Sequence, residues 1–283
     1  MVRASGPTIA GAPATTASPM VVASLSKVVT GLAVARLSQQ GRLEVGDPVD
    51  WSLLGIDPHP SWDDVTVREL LDHTSGMPTV RSTWFDEPGT CASYLPALLS
   101  SPPRAERGRW HYSNGNYCAL GLLVEAITGD PLDVATRTLI FDPIGVPGVH
   151  LTTDGQLPGD VQYGIGDAEL AAAGVARLSR LGGAGSLIVS SDSLAMMFDT
   201  MTEVDWAMLH WPGMFVDQYG IGHTGTVDGA RACLWQMEGG NTVLAATVAG
   251  STPDSGGRLC DRLIPAIATD LGAPAPLPDR TPP

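Results

Sequence analysis

Ser24-Leu25-Ser26-Lys27 sets an alcohol and an amine one helical turn apart, and Lys27 is the only lysine in the chain. The other basic residues, of 16 in all, are arginines. A guanidinium stays protonated in proteins, whereas a desolvated lysine can lose its proton and act as a base. A chain that uses arginine wherever charge suffices, yet keeps a lysine at S-x-x-K, points to proton transfer at that position. A serine hydroxyl is nearly inert until a neighbouring base takes its proton, so the chemistry suggested is attack by Ser24 on a carbonyl carbon. An isolated S-x-x-K is equally compatible with chance survival, and three further motifs decide its meaning.

Those motifs follow in order: Leu70-Leu71-Asp72-His73-Thr74-Ser75-Gly76, Tyr112-Ser113-Asn114 and His223-Thr224-Gly225. With the first, they make the chain resemble the serine β-lactamase-like, penicillin-binding superfamily, in its class C β-lactamase and DD-carboxypeptidase branch. A sister branch carries S-x-x-K, S-D-N and K-T-G. This branch opens the second motif with tyrosine and the third with lysine or histidine. The longest matching stretches are Tyr112–Tyr117 and Gly222–Val227, and the likeness runs from Ser24 to Leu271. Any one motif is weak, but four in order are specific.

The resemblance implies roles for particular residues. Ser24 is the acyl-accepting nucleophile, and Lys27 or Tyr112 takes its proton; which of the two is the base stays open. Asn114 hydrogen-bonds Lys27 and the substrate amide. His223, Thr224, Gly225 and Thr226 form the substrate-binding strand, with the N–H groups of Ser24 and Thr226 as oxyanion donors. Such donors typically contribute ~3–4 kcal/mol to a transition state. Histidine at position 223 carries less charge at neutral pH than lysine. The resemblance therefore supports acyl transfer more firmly than any one substrate: a D-alanyl peptide, a β-lactam or a small ester. A non-catalytic protein of the same fold that binds penicillin or peptidoglycan is the alternative from another class.

Each residue also has a plainer reading. Tyr112 and Asn114 fit a buried tyrosine and a turn asparagine, and His223 a strand histidine facing solvent. His73 to Gly76 read as the end of a helix. Trp84, Trp110, Trp211 and Met214 suit a substrate groove or a core equally. His59, His111, His150 and His210 show no ligand spacing and read as structural. The chain has no G-x-S-x-G elbow, which disfavours an α/β-hydrolase.

These residues need a scaffold. From Ser24, Leu25, Val28, Val29 and Leu32 recur at helical spacing, with Gly41 as a stop. Further helices are expected over 65–73, 117–128, 191–201 and 257–271, and a short one within 86–110. Val2 to Ala12 suggest two short strands. Three strands are expected at 219–226, 230–238 and 242–250, the last two joined by Gly239-Gly240-Asn241. The fold class is thus α/β (α+β): an antiparallel sheet flanked by helices, with a mostly helical inserted subdomain. Residues 1–25 and 206–283 would form the sheet subdomain and 26–205 the helical one, with the active site between them. Relatives in this superfamily usually carry an extra helix and fuller strands ahead of the nucleophile, so a smaller or shortened sheet edge is expected here.

Composition bounds the rest. At 43 % hydrophobic and 16 % charged, the chain can bury a sizeable core, and its net charge of −14 disfavours a nucleic-acid or anionic-membrane surface. No apolar run approaches the ~20 residues of a membrane span. Cys91, Cys118, Cys233 and Cys260 allow three pairings, and none has zinc-like spacing. Cys260, Leu263, Ile264, Ile267 and Leu271 share a helix face, while Cys233, Trp235 and Met237 share a strand face. A helix laid on that sheet would join Cys233 to Cys260, leaving Cys91 to Cys118. Four free thiols in a cytosolic protein is the other reading. Disulfides imply an oxidising compartment, hence an exported protein, although Met1 to Pro19 show no charged-then-apolar signal pattern. Gly272 to Pro283 read as a loose, proline-rich tail. A small-molecule or peptidoglycan-peptide substrate is expected, with no cofactor and no metal; the oligomeric state is open.

Overall fold

The segment that carries Ser24 is fixed by what surrounds it. In a computed structural model describing residues 3–78, 89–146, 149–163, 168–209, 214–237, 242–250 and 259–270, β1 (Met20–Val21) leads through a 3-10 turn, Ala23–Leu25, into α1 (Ser26–Gln39). Helix α1 is apolar nearly all round. Val28, Val29, Leu32, Ala33, Val34, Ala35 and Leu37 are all buried, which marks a central rather than a surface helix. Gln40 caps it, and Gly41 turns the chain away.

Shorter helices pack around it. α2 (Val67–Leu71) starts on a capping box between Thr66 and Glu69. α3 (Cys91–Leu99) and α4 (Asn114–Thr128) are tied by the Cys91–Cys118 disulfide. α5 (Leu132–Thr136), β2 (His150–Leu151), α6 (Ala168–Leu178), β3 (Leu187–Val189), α7 (Ser191–Asp199) and α8 (Glu203–Leu209) follow. β1, β3 and β2 form a small antiparallel sheet in the order β1-β3-β2.

The larger sheet comes last in sequence. β4 (Phe215–Asp217), β5 (Gly220–Val227), β6 (Ala230–Met237) and β7 (Val243–Ala249) are antiparallel in chain order. Asp228-Gly229 closes the β5–β6 hairpin in two residues, with Gly229 at a positive φ that glycine adopts without a Cβ clash. Alternation divides β6 between two cores. Ala230, Ala232 and Leu234 join the main core, which also takes in α1 and α4. Cys233, Trp235 and Met237 meet Cys260, Ile264 and Ala268 of α9 (Leu259–Asp270) on the other face. The Cys233–Cys260 bridge closes that second layer, as the shared helix and strand faces predict. The fold is thus mixed α and β, with antiparallel sheets flanked by helices.

Several expectations need correction. The two strands expected in Val2 to Ala12 reduce to isolated bridges, Pro7 with Pro13 and Thr8 with Val161. Proline lacks the N–H that a ladder needs, and Gly6 and Gly11 bend the segment at positive φ. Helix α4 starts at Asn114, three residues earlier than expected, because the Ser113 hydroxyl accepts the Gly115 N–H and caps it. Ser190, not Ser191 or Asp192, caps α7. The turn at 239–241, Leu271 and the tail at 272–283 lie outside the described residues.

Candidate active site

Ser24 sits in the 3-10 turn ahead of α1, directly after a strained residue. Ala23 has φ of 48°, a left-handed conformation that alanine seldom adopts. Such strain costs on the order of 1–3 kcal/mol and persists only where the surroundings enforce it. Here β5 enforces it from one side. A Cβ added at Gly225 would lie 2.1 Å from Val22 O, so only glycine lets the strand lie against the turn.

Lys27, the second residue of α1 and three residues beyond Ser24, is 1 % exposed. Its Nζ donates to Ser24 Oγ at 3.3 Å and to Ala184 O at 2.6 Å. The Ala184 carbonyl reaches it because the stretch after Gly182 is small. Gly183 lies so close to α4 that a Cβ there would come within 2.6 Å of Tyr117 O. Thr30 Oγ1 donates to Gly183 O and Leu187 N to Ser26 Oγ, which fastens that stretch along α1. Burial pulls the Lys27 pKa below the ordinary lysine value, against an opposing pull from Tyr112. A buried ammonium is disfavoured, and the neutral amine is the form that accepts a proton.

Tyr112 closes the group from the loop before α4. Its OH donates to Ser24 Oγ at 3.0 Å, and Lys27 Nζ stands 4.9 Å from its ring centroid. One hydroxyl therefore lies within hydrogen-bonding reach of an amine and a phenol. Asn114, in the first turn of α4, is placed differently from expectation. Lys27 donates to Ser24 and Ala184, and Asn114 Oδ1 is buried with no hydrogen-bond partner.

On β5, His223 is 2 % exposed, which overturns its reading as a solvent-facing strand residue. Its ring lies 5.0 Å from that of Phe215, and its Nδ1 is 2.8 Å from Thr224 O. Thr224 Oγ1 donates across the sheet to Ala232 O, while Thr226 is exposed. Alternation puts His223 and Gly225 on one face and Thr224 and Thr226 on the other.

His73 is the residue that sequence reasoning undervalued. It does end α2, in the left-handed conformation at φ of 56°. It is also 1 % exposed, and its ring lies 4.6 Å from that of Tyr112. The sequence signal was there in His73-Thr74-Ser75-Gly76, but helix termination accounted for it. Among the aromatics, Trp110 is 53 % exposed beside Tyr112, at 6.4 Å between rings, whereas Met214 is buried in the main core. Trp84 and Trp211 lie outside the described residues, as does His210. His59 Nδ1 accepts the Ser61 N–H, and His150 pairs with Asp160. His111, in the loop before Tyr112, donates its backbone N–H to His73 O. Among the described residues, no His, Cys, Asp or Glu cluster could hold a metal ion.

The fold and this group of side chains together define a known class. The chain belongs to the Beta-lactamase family, which it matches over residues 6–269. It is 26 % identical over 175 residues to a protein assigned as penicillin-binding protein PbpX of Bacillus subtilis (strain 168), a match covering 60 % of this chain and 43 % of that one. It is 28 % identical over 148 residues to a Salmonella paratyphi A protein assigned as a D-alanyl-D-alanine carboxypeptidase, covering 47 % of this chain and 34 % of that one. The match spans less than half the length of either curated relative. Among solved structures, the D-amino acid amidase from Ochrobactrum anthropi SV3 superposes with a TM-score of 0.73 at 19 % identity, covering 89 % of this chain and 85 % of that one. The last likeness is one of fold.

Proposed function

We propose that the protein is a serine hydrolase that forms an acyl-enzyme on Ser24. The observation that carries this reading is the convergence of Lys27 Nζ and Tyr112 OH on Ser24 Oγ, at 3.3 and 3.0 Å. Ser24 Oγ attacks the carbonyl carbon while its proton passes to the Lys27 amine, either directly or through the Tyr112 hydroxyl, which takes the serine proton as it gives its own to Lys27. The oxyanion forms against the N–H groups of Ser24 and Thr226. The proton is returned to the leaving nitrogen or oxygen as the carbonyl bond to it breaks, and water later releases the acyl group by the same relay. Asn114 Oδ1, buried without a partner, suits an N–H of the bound substrate.

D-alanyl-D-alanine carboxypeptidase or β-lactamase-like activity is the preferred finer reading, and an esterase of the same fold the next. The names of the relatives and the D-amino acid amidase fold support hydrolysis at a D-configured acyl group. Two disulfides support an exported protein. The test compares hydrolysis of a D-Ala-D-Ala peptide, nitrocefin and a butyrate ester. The expected result is turnover of at least one, fastest on the peptide and abolished in Ser24→Ala. Turnover of none of the three, with only ligand-induced thermal stabilisation, would favour the non-catalytic binding protein.

A further inference from the structure

Ser24 and Lys27 are anchored in the turn and helix of one element, but Tyr112 reaches them from a loop, and His73 holds that loop on both sides of it. The backbone carbonyl of His73 accepts the His111 N–H at 2.8 Å. Its side-chain Nδ1 accepts the Ser113 N–H at 3.2 Å. Tyr112 is therefore bracketed, residue before and residue after, by one neighbour. Between the two bonds the rings lie 4.6 Å apart, tilted by 37°.

The bracket is itself supported. Asn116 Nδ2 lies 3.0 Å from His73 Nδ1, and Asn116 Oδ1 accepts from Ser75 Oγ at 2.6 Å. With its oxygen accepting from Ser75, Asn116 presents its amide protons to His73. Two donors meet Nδ1, so the network assigns the ring proton to Nε2. That Nε2 is buried with no hydrogen-bond partner.

His73 thus combines a left-handed backbone, an orphaned ring nitrogen and almost complete burial. A residue kept only to end a helix needs none of the last two, and glycine or asparagine would serve at that φ. Strain gathered in one residue beside a reactive group is a signature of positioning. Burial above all holds the imidazole well below its ordinary pKa and so neutral.

We propose, resting on the reading of Ser24 as nucleophile, that His73 is the positioning residue of Tyr112, fixing the phenol over Ser24 by its two bonds to the flanking backbone and its ring face. It touches neither substrate nor the reacting atoms; it acts through Tyr112.

The test uses His73→Gly, which keeps the backbone conformation and the carbonyl that accepts from His111 but deletes the ring and its bond to Ser113, and His73→Asn, which tolerates the same φ and restores a side-chain acceptor. Acylation by an activated ester should slow by about 10²-fold in His73→Gly, the order expected when a reacting group is misplaced by an ångström. His73→Asn should recover most of that loss. In a Tyr112→Phe background, His73→Gly should change the rate by less than about twofold, because nothing is left to position. Equal losses in both backgrounds, or an unimpaired His73→Gly, would overturn the proposal. A second readout does not depend on catalysis. With the 5 tyrosines replaced by 3-fluorotyrosine, the Tyr112 fluorine line, assigned by its loss in Tyr112→Phe, should shift or broaden in His73→Gly and return in His73→Asn. An unmoved line contradicts the role of His73 whatever the activity. Absence of any acylation in the unsubstituted protein, with the line moved as expected, would remove the nucleophile reading and leave the positioning role standing.

Discussion

Lys27 is the residue at which sequence and environment agree most closely. A lone lysine in an arginine-using chain suggested a need for deprotonation, and 1 % exposure supplies the physical means. Because burial lowers its pKa, the neutral amine is populated at a pH below the ordinary lysine value. The acylation rate should therefore rise with pH as the proton leaves, with a midpoint below 10.5. The sign for stability is the same: the unfolded chain binds the proton more tightly, so this group's contribution grows as pH rises from the folded pKa towards the unfolded one. Lys27→Ala should reduce acylation by roughly 10²–10⁴-fold, the usual worth of a general base. Lys27→Arg should do no better, because a guanidinium keeps its charge yet accepts no proton. Stopped-flow acylation across pH checks both, and an active Lys27→Arg would move the base elsewhere. His73 was less legible for a plain reason. Its partners Ser113 and Asn116 are 40 and 43 residues away, and no local pattern announces a contact at that range.

At the scale of elements, the long periodic segments were readable and the short ones were not. Helix α1 and strands β5, β6 and β7 carry strong spacing signals and fall within a few residues of expectation. Strands β3 and β4 have three residues each, too few for a period to show, and exist because a neighbour pairs with them. The start of α4 turned on a single hydroxyl, that of Ser113, whose capping role competed with a turn reading of Tyr112-Ser113-Asn114. Gly225 shows how an element reaches the chemistry. Its lack of a side chain brings β5 against Val22, two residues before Ser24, and so sets the spacing of any oxyanion site. Gly225→Ala should displace the strand, costing about 1–3 kcal/mol as overpacking does. A thermal melt should show the lower Tm, and acylation should fall by at least about tenfold. Unchanged acylation would mean that the approach of β5 to the turn does not matter to the reaction.

For the whole molecule, the family was legible from four motifs, because those residues are constrained by one another's chemistry rather than by local propensity. The Cys233–Cys260 pairing was legible for a related reason: helix and strand periodicities put both sulfurs on facing surfaces of the second core. Trp110 stands exposed beside Tyr112, and His223 lies buried against Phe215. Among the described residues, no helix is long and apolar enough to cross a membrane.

The central claim is that the Ser24 hydroxyl, served by Lys27 and Tyr112, becomes covalently acylated. Intact-protein mass spectrometry after incubation with a fluorescent penicillin or an activated ester tests it most directly. The expected result is one added acyl group, mapped to the peptide containing Ser24 and absent from Ser24→Ala. An unmodified mass with both reagents, or an adduct that persists in Ser24→Ala, would contradict it.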